Sequence, residues 1–319
     1  LFHTWGFAAL QIALALRATI VLRRRFDPAA TLDDLRRHRC TALVAVPVML
    51  DRIMELPPPA ERPRLEVVAV SGSALPGGLA TRFMDRFGDV LYNLYGSTEV
   101  SWASIATPAD LRAAPHTAGR PPHGTVVTAR DEDGTPVPPG RAGRLFVRND
   151  MLFEGYTGGP DRSAAELATG DLGHLDEAGR VYVDGRVDDM IVSGGENVFP
   201  SQVENLLADL DEVREVAVVG VPDAEYGQRL AAYVVLRDGA VLGEDEVREH
   251  VRRHRARFCV PRDVVFLPAL PRNATGKVIS RDLHPAGLSV AGHVARDRDT
   301  GGRQRSAGPG SEGEPRRRR

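Results

Sequence analysis

The sequence predicts an α/β part followed by a compact α+β module. The first part holds a mostly parallel sheet and a small β subdomain. Three observations predict this. Up to about residue 110, short apolar strands alternate with amphipathic helical stretches, the texture of a sheet buried on both faces. From about 115 to 184 the strands are separated by Asp-Gly and Ala-Gly turns, which mark antiparallel hairpins. Beyond VDGRVDD (183–189) helices and strands alternate again over roughly 95 residues, an ordinary domain size.

Each element follows in order. FAALQIALAL (7–16), interrupted by Gln11 and closed by Arg17, reads as a buried or half-buried helix too short to span a bilayer. ATLDDLRRHRC (30–40), VMLDRIMEL (48–56) and LATRFMDRFG (79–88) are amphipathic helices. Between them, TALVAVP (41–47), LEVVAVSGS (65–73) and VLYNLYG (90–96) are strands. TVVTARDEDGTPVPPGRAGRLFVR (125–148) and HLDEAGRVYVDG (174–185) read as two hairpins. MIVSG, EVAVVGV, LAAYVVL and DVVFL are the later strands. FPSQVENLLADL starts a helix at Pro200, with Val203, Leu206 and Leu207 on one face. EDEVREHVRRHRA (244–256) is the last helix. The expected boundaries are 1–184 for the first domain, with the β subdomain at about 115–184. A hinge at 185–189, a module at 190–285 and an unpacked Gly/Arg/Ser-rich tail at 286–319 complete the chain.

Composition narrows the function. Apolar content of 42% and charged content of 26% describe an ordinary globular chain. A net charge of −2 gives no case for nucleic acid. Cys40 and Cys259 cannot build a disulfide framework, so a reducing cytoplasm is expected. No integral membrane segment is expected, and Leu1 opens without the basic leader of a signal peptide. Oligomeric state is not read from the sequence.

Five stretches carry residues suited to chemistry. In YGSTE (95–99), at the end of a strand, Thr98 offers a hydroxyl to phosphate, Glu99 a hard oxygen to Mg²⁺, and Tyr95 a flat face to a base. A polar turn is the bland alternative. VSGSALPGG (70–78) is a Gly/Ser loop without a GxxxxGK[ST] signature. In TGDLGHLD (169–176), Asp171 suits a ribose diol, although a TGD aspartate is more often a turn residue. In GRVDDMIVSGGENVFP (185–200), Arg186 can fork onto phosphate or ribose, and Gly194 and Gly195 would let a narrow ligand pass. PRNATGKVISR (271–281) holds Lys277, the single lysine among 41 basic side chains. Its ammonium is a movable point charge, suited to bridging a carboxylate and a phosphate oxygen and then leaving.

These five stretches, in this order, resemble the adenylate-forming superfamily over roughly residues 1–285. That superfamily holds acyl-CoA synthetases, peptide-synthetase adenylation domains and firefly luciferase. LFH (1–3), GRVDDMIVSGGEN and PRNATGK resemble the acyl- and aryl-CoA ligase branch. The resemblance implies the ligation of a carboxylic acid, expected to be a fatty acid, to coenzyme A through an acyl-adenylate made from ATP with Mg²⁺. It implies that Ser73, Ala74, Leu75, Asn93, Leu94, Tyr95 and Gly96 border adenine. Thr98 would meet the α-phosphate and Glu99 the metal; Asp171 and Arg186 would hold the ribose, with Val183 beside the nucleotide. Asp188 would be the hinge, Gly194 and Gly195 would line the pantetheine tunnel, Lys277 would serve adenylation, and His3 would gate between states.

Two departures qualify the expectation. Nothing like SSGTTGxPK occurs, so a main part of the triphosphate grip is missing, and the sequence reads as a fragment or a truncated product. Little ATP-dependent ligation is expected of these 319 residues. Cys259 stands where related ligases carry lysine and is expected to be a buried thiol. Trp102 and residues 7–16 suit an acyl tunnel, but such residues more often build core. Two other readings stand beside CoA ligation: adenylation for a carrier protein, and a non-catalytic remnant that binds CoA or acyl-AMP.

Overall fold

A computed structural model of the chain describes residues 4–158, 165–273 and 277–283. The expected tail and His3 lie outside them. Leu1–His284 form one compact unit.

The first sheet has the order β1-β2-β3-β4. Strands β1 (Ala42–Ala45), β2 (Val67–Val70) and β3 (Leu91–Ser97) are parallel, and β4 (Ser101–Ala106) closes the edge antiparallel. Helices α2 (Pro28–Arg37), α3 (Pro47–Met54) and α4 (Gly77–Phe87) connect and cover it. Asp27 caps α2 by accepting from the Ala30 amide at 2.7 Å, and proline opens both α2 and α3 where its missing N–H costs nothing. Leu50, Ile53, Val68, Phe83 and Phe87 form the core, with the two phenylalanine rings stacked 4.7 Å apart. Short α5 (Pro108–Ala113) follows β4, opened by a Thr107–Asp110 capping box.

The apolar run near the start does form a helix, α1 (Thr4–Ala15), and Trp5 donates to the Ala45 carbonyl at 2.9 Å. The expected burial is only partly met. No residue of α1 is fully buried, and Phe7, Ile12 and Leu14 stand exposed. The helix is apolar on all sides, so contact along one side leaves the rest bare.

The second sheet is an antiparallel meander of β5 (Val126–Arg130), β6 (Gly143–Arg148), β7 (Leu167–Leu175) and β8 (Val181–Arg186). Val127, Leu145, Val147 and Val181 alternate into its core, as period-two patterning requires. The third sheet holds β9 (Ile191–Ser193), β10 (Glu196–Val198), β11 (Val213–Asp223), β12 (Gly227–Leu236) and β13 (Asp263–Phe266). Helices α6 (Pro200–Ala208) and α7 (Glu244–His254) pack on it through Val203, Leu207, Val247 and Val251. No helix among the described residues is long and apolar enough to cross a membrane.

Phe83 is fully buried in this core and stacked on Phe87. Phe83→Ala is expected to lower stability by about 3–5 kcal/mol in urea unfolding. A loss near zero would show that this cluster does not hold the fold.

Candidate active site

Strand β3 ends where its polar residues leave the sheet. The bulge between Tyr95 and Gly96 brings β4 so close that a Cβ on Gly96 would lie 1.9 Å from the Ser101 carbonyl oxygen. Tyr95 is thereby aimed at the second sheet, where its hydroxyl donates to Asp171 Oδ2 at 2.6 Å. Asp171 is not the turn residue its TGD setting suggested. It lies inside β7, paired in register with Arg186 of β8, whose Nη1 is 4.0 Å from Asp171 Oδ1. Thr169 Oγ1 accepts from the Asp171 amide at 3.0 Å, a local turn-like bond that the strand accommodates.

Burial pushes the Asp171 carboxyl above its ordinary range, opposed by the Tyr95 hydroxyl, Arg186, Thr169 and Lys277. Burial and the neighbouring Asp171 push the Tyr95 hydroxyl well above its own range, so it stays protonated and donates. Glu99 is the opposite case. The Ser97 hydroxyl, and after it Tyr156, hold its carboxyl below the usual range against partial burial. Tyr156 donates to Glu99 Oε1 at 2.9 Å. Thr98 Oγ1 lies 3.0 Å from Thr4 Oγ1.

A cleft of about 640 Å³ runs between the first sheet's helices and the C-terminal module. Ser73, Ala74, Arg186, Asp188, Glu204 and Lys277 are on its walls. Lys277 is on that wall; the Asn273 amide donates to the Lys277 carbonyl at 2.9 Å, and the Lys277 amide donates to Asn273 Oδ1 at 3.0 Å. The cleft thus gathers the Ser73–Ala74 loop, the ribose candidates and the lone lysine. Leu75 turns instead into the core. Asn93, Leu94 and Gly96 are half-buried along β3, and Val183 and Tyr95 both pack against the second sheet's core. Trp102 is half-buried on β4.

Gly194 and Gly195 do not join the residues above on the cleft wall. Both have positive φ (61° and 85°) and form the two-residue turn between β9 and β10, with Tyr226 against Gly194. Asp188 lies in a short 3₁₀ turn between β8 and β9. Cys259 is 4% exposed, as expected of a packed thiol, and burial pushes it up. Sequence reasoning missed Tyr156, Thr169 and Glu204. Only contacts across 57 residues, for Tyr156, or a helix face turned to the cleft, for Glu204, reveal them.

Among the described residues, no cluster of three or more His, Cys, Asp and Glu could hold a metal ion. An ionised Glu99 fits a divalent cation as a single protein ligand, the remaining oxygens coming from phosphate and water.

Glu204 gives a pH test of the cleft wall. Burial raises its carboxyl from 4.5 to about 7, although the Val218 amide donates to it at 2.8 Å. Between about 4.5 and 7 the folded chain holds a proton that the unfolded chain has lost. This contribution to stability is full below about pH 4.5, falls as pH rises through that window, and levels off above about 7. Glu204→Gln is expected to flatten that slope in urea midpoints; an unchanged slope would remove Glu204 as its source.

With this geometry in hand, known proteins supply context. The model of the AMP-binding enzyme family matches residues 1–157, and that of the AMP-binding enzyme C-terminal domain matches 202–277. The indoleacetate–CoA ligase of Aromatoleum aromaticum is 38% identical over 293 residues, covering 89% of this chain and 57% of the relative. The chain therefore spans little more than half the length of that relative. The amide bond synthetase McbA of Marinactinospora thermotolerans superposes with a TM-score of 0.82 at 32% identity, covering 88% of this chain and 59% of McbA. ATP-bound MatB of Rhodopseudomonas palustris superposes at 0.80 with 30% identity, covering 88% and 57%.

Proposed function

The chain belongs to the AMP-binding enzyme family, and from that premise we propose that it carries the nucleotide and thioester machinery of an acid–thiol ligase. One observation supports this most: the only lysine shares a cleft with Arg186, the strand partner of Asp171.

The reaction has two steps. A carboxylate oxygen attacks the α-phosphorus of ATP, the bond to the bridging oxygen breaks, and acyl-AMP and pyrophosphate form. The thiol sulfur of CoA then attacks the acyl carbon, the acyl–oxygen bond breaks, and AMP leaves while the thiol proton passes to solvent. Tyr95 and Val183 flank the adenine in this reading, with Ser73 and Ala74 opposite. Asp171 accepts from the ribose hydroxyls while Arg186 donates to them. Thr98 donates to the α-phosphate. Lys277 offsets the negative charge that builds as carboxylate meets phosphate, which is electrostatic stabilisation rather than proton transfer. Mg²⁺, when bound at Glu99, would neutralise phosphate oxygens in the same way. Asp188 is the pivot, and Gly194 and Gly195, off the cleft in this orientation, line the thiol's path after rotation.

The acid is proposed as an apolar carboxylic acid. A fatty chain is the narrower version, supported by half-buried Trp102 and the apolar α1; the relative named for indoleacetate supports an aryl acid equally well. Cys40 and Cys259 are both free thiols, which supports a reducing compartment such as the cytoplasm.

Supplied with preformed acyl-adenylate and CoA, the chain is expected to form thioester without ATP, read by chromatography of the CoA pool. AMP binding without thioester would leave only a binding role. Lys277→Ala is expected to cut ATP-dependent adenylation, however slow, by about 100-fold and to leave the thioester step within about twofold. Equal losses in both would remove Lys277 from the first step. Arg186→Ala is expected to weaken AMP binding about tenfold in calorimetry.

A further inference from the structure

Helix α6 ends in an unfavourable way. Its C-cap is Asp209 and its last turn holds no basic residue. A carboxylate there faces the negative end of its own helix dipole. Helix α4 has the complementary defect. Its first turn holds no acidic residue, and Pro76 at its N-cap makes no side-chain hydrogen bond, so its leading amides lack a local cap.

The two ends meet across the cleft. A Cβ on Gly78 would lie 3.2 Å from Asp209 Oδ1 and 3.9 Å from the Ala208 carbonyl oxygen. The other carboxylate oxygen, Oδ2, lies 3.3 Å from His116 Nε2. The His116 ring packs on Gly77, where a Cβ would come within 2.7 Å of it. Two bare glycines at the start of α4 therefore make room for the carboxylate and for the imidazole that holds it. A second cross-cleft pair joins Arg214 of β11 to Glu55, just past α3, at 3.7 Å. The same Cβ on Gly78 would lie 3.1 Å from Arg82 Nη1, so Arg82, one turn into α4, borders the point that Asp209 reaches.

We propose that Asp209 is a positioning residue. It sits against the start of α4 from the far side of the cleft and, with His116 and the Glu55–Arg214 pair, latches the C-terminal module in the orientation that puts Lys277 on the cleft wall with Arg186. The misplacement of a carboxylate at the end of α6 is then explained by what it does for α4. His116 and Asp209 keep about two-fifths of their side-chain surface exposed (41% and 40%), so the latch is weak. Weakness suits a module that must let go: contacts made only in one orientation bias a two-state equilibrium without locking it. The purpose of the motion rests on the proposed two-step reaction, but the test reads orientation and not turnover.

The whole 319-residue chain, with Cys40→Ala and Cys259→Ala, would carry one dye at Glu132→Cys on the β5–β6 turn and one at Val241→Cys on the module. Single-molecule energy transfer is expected to show one dominant inter-dye distance. Asp209→Arg is expected to lower the population at that distance about twofold to fivefold, and adding His116→Asp to restore it. Gly78→Ala is expected to act in the same direction as Asp209→Arg. Circular dichroism and melting temperature should stay unchanged throughout. An unchanged distance distribution in Asp209→Arg overturns the proposal, as does a broad distribution in the parent chain. A shift that His116→Asp fails to restore, or that comes with loss of folded signal, assigns Asp209 a merely structural role and overturns it too. None of these outcomes depends on thioester formation, so the latch and the ligase reading fail separately.

Discussion

The site depends on one short hydrogen bond, from the Tyr95 hydroxyl to the Asp171 carboxylate. Tyr95 stands on β3 of the first sheet and Asp171 inside β7 of the second, so the bond joins two sheets beside the core on which Tyr95 itself packs. A half-buried carboxylate without partners would take up a proton. Asp171 resists this through Tyr95, Arg186, Thr169 and the more distant Lys277. Those partners aim the carboxylate and leave it acceptor capacity for a ligand's hydroxyls.

Around this pair the sheets and the cleft are held by different forces. The sheets hold their register through fully buried aliphatic residues such as Leu91, Leu145 and Val234, whose loss would be felt across each core. The cleft is held differently, by charged groups that keep contact with solvent. Exposed ion pairs give little energy each and are screened by salt. That contrast in strength is what the proposed pivoting of the C-terminal module would use.

Several parts of this arrangement were legible in the amino-acid order. Val67–Val70 and Val216–Val219 declared strands by β-branched runs, and Pro200 marked a helix start that the structure keeps. The helices expected from Ala30 and Val48 begin two residues and one residue earlier, at Pro28 and Pro47. Gly194 and Gly195, singled out as room for a narrow ligand, instead form a tight turn, and both have the positive φ that turn needs. Other readings went astray for identifiable reasons. The turn weighed as an alternative for Asp171 rested on TGD as a local pattern, whereas its strand neighbours are chosen by pairing with β6 and β8. The apolar α1 promised burial that contact on one side could not supply.

The sequence by itself determined the periodicities, the caps, and the identity of the single lysine, since these are set by side chains within a few residues of each other. Only the tertiary structure decided that Tyr95 and Asp171, 76 residues apart, would share a proton bridge. The same holds for Lys277 on the cleft wall and for Asp209 against a helix it does not belong to. Electrostatic partners are fixed by distance in space and by the water excluded between them, and neither quantity is written in the spacing along a chain.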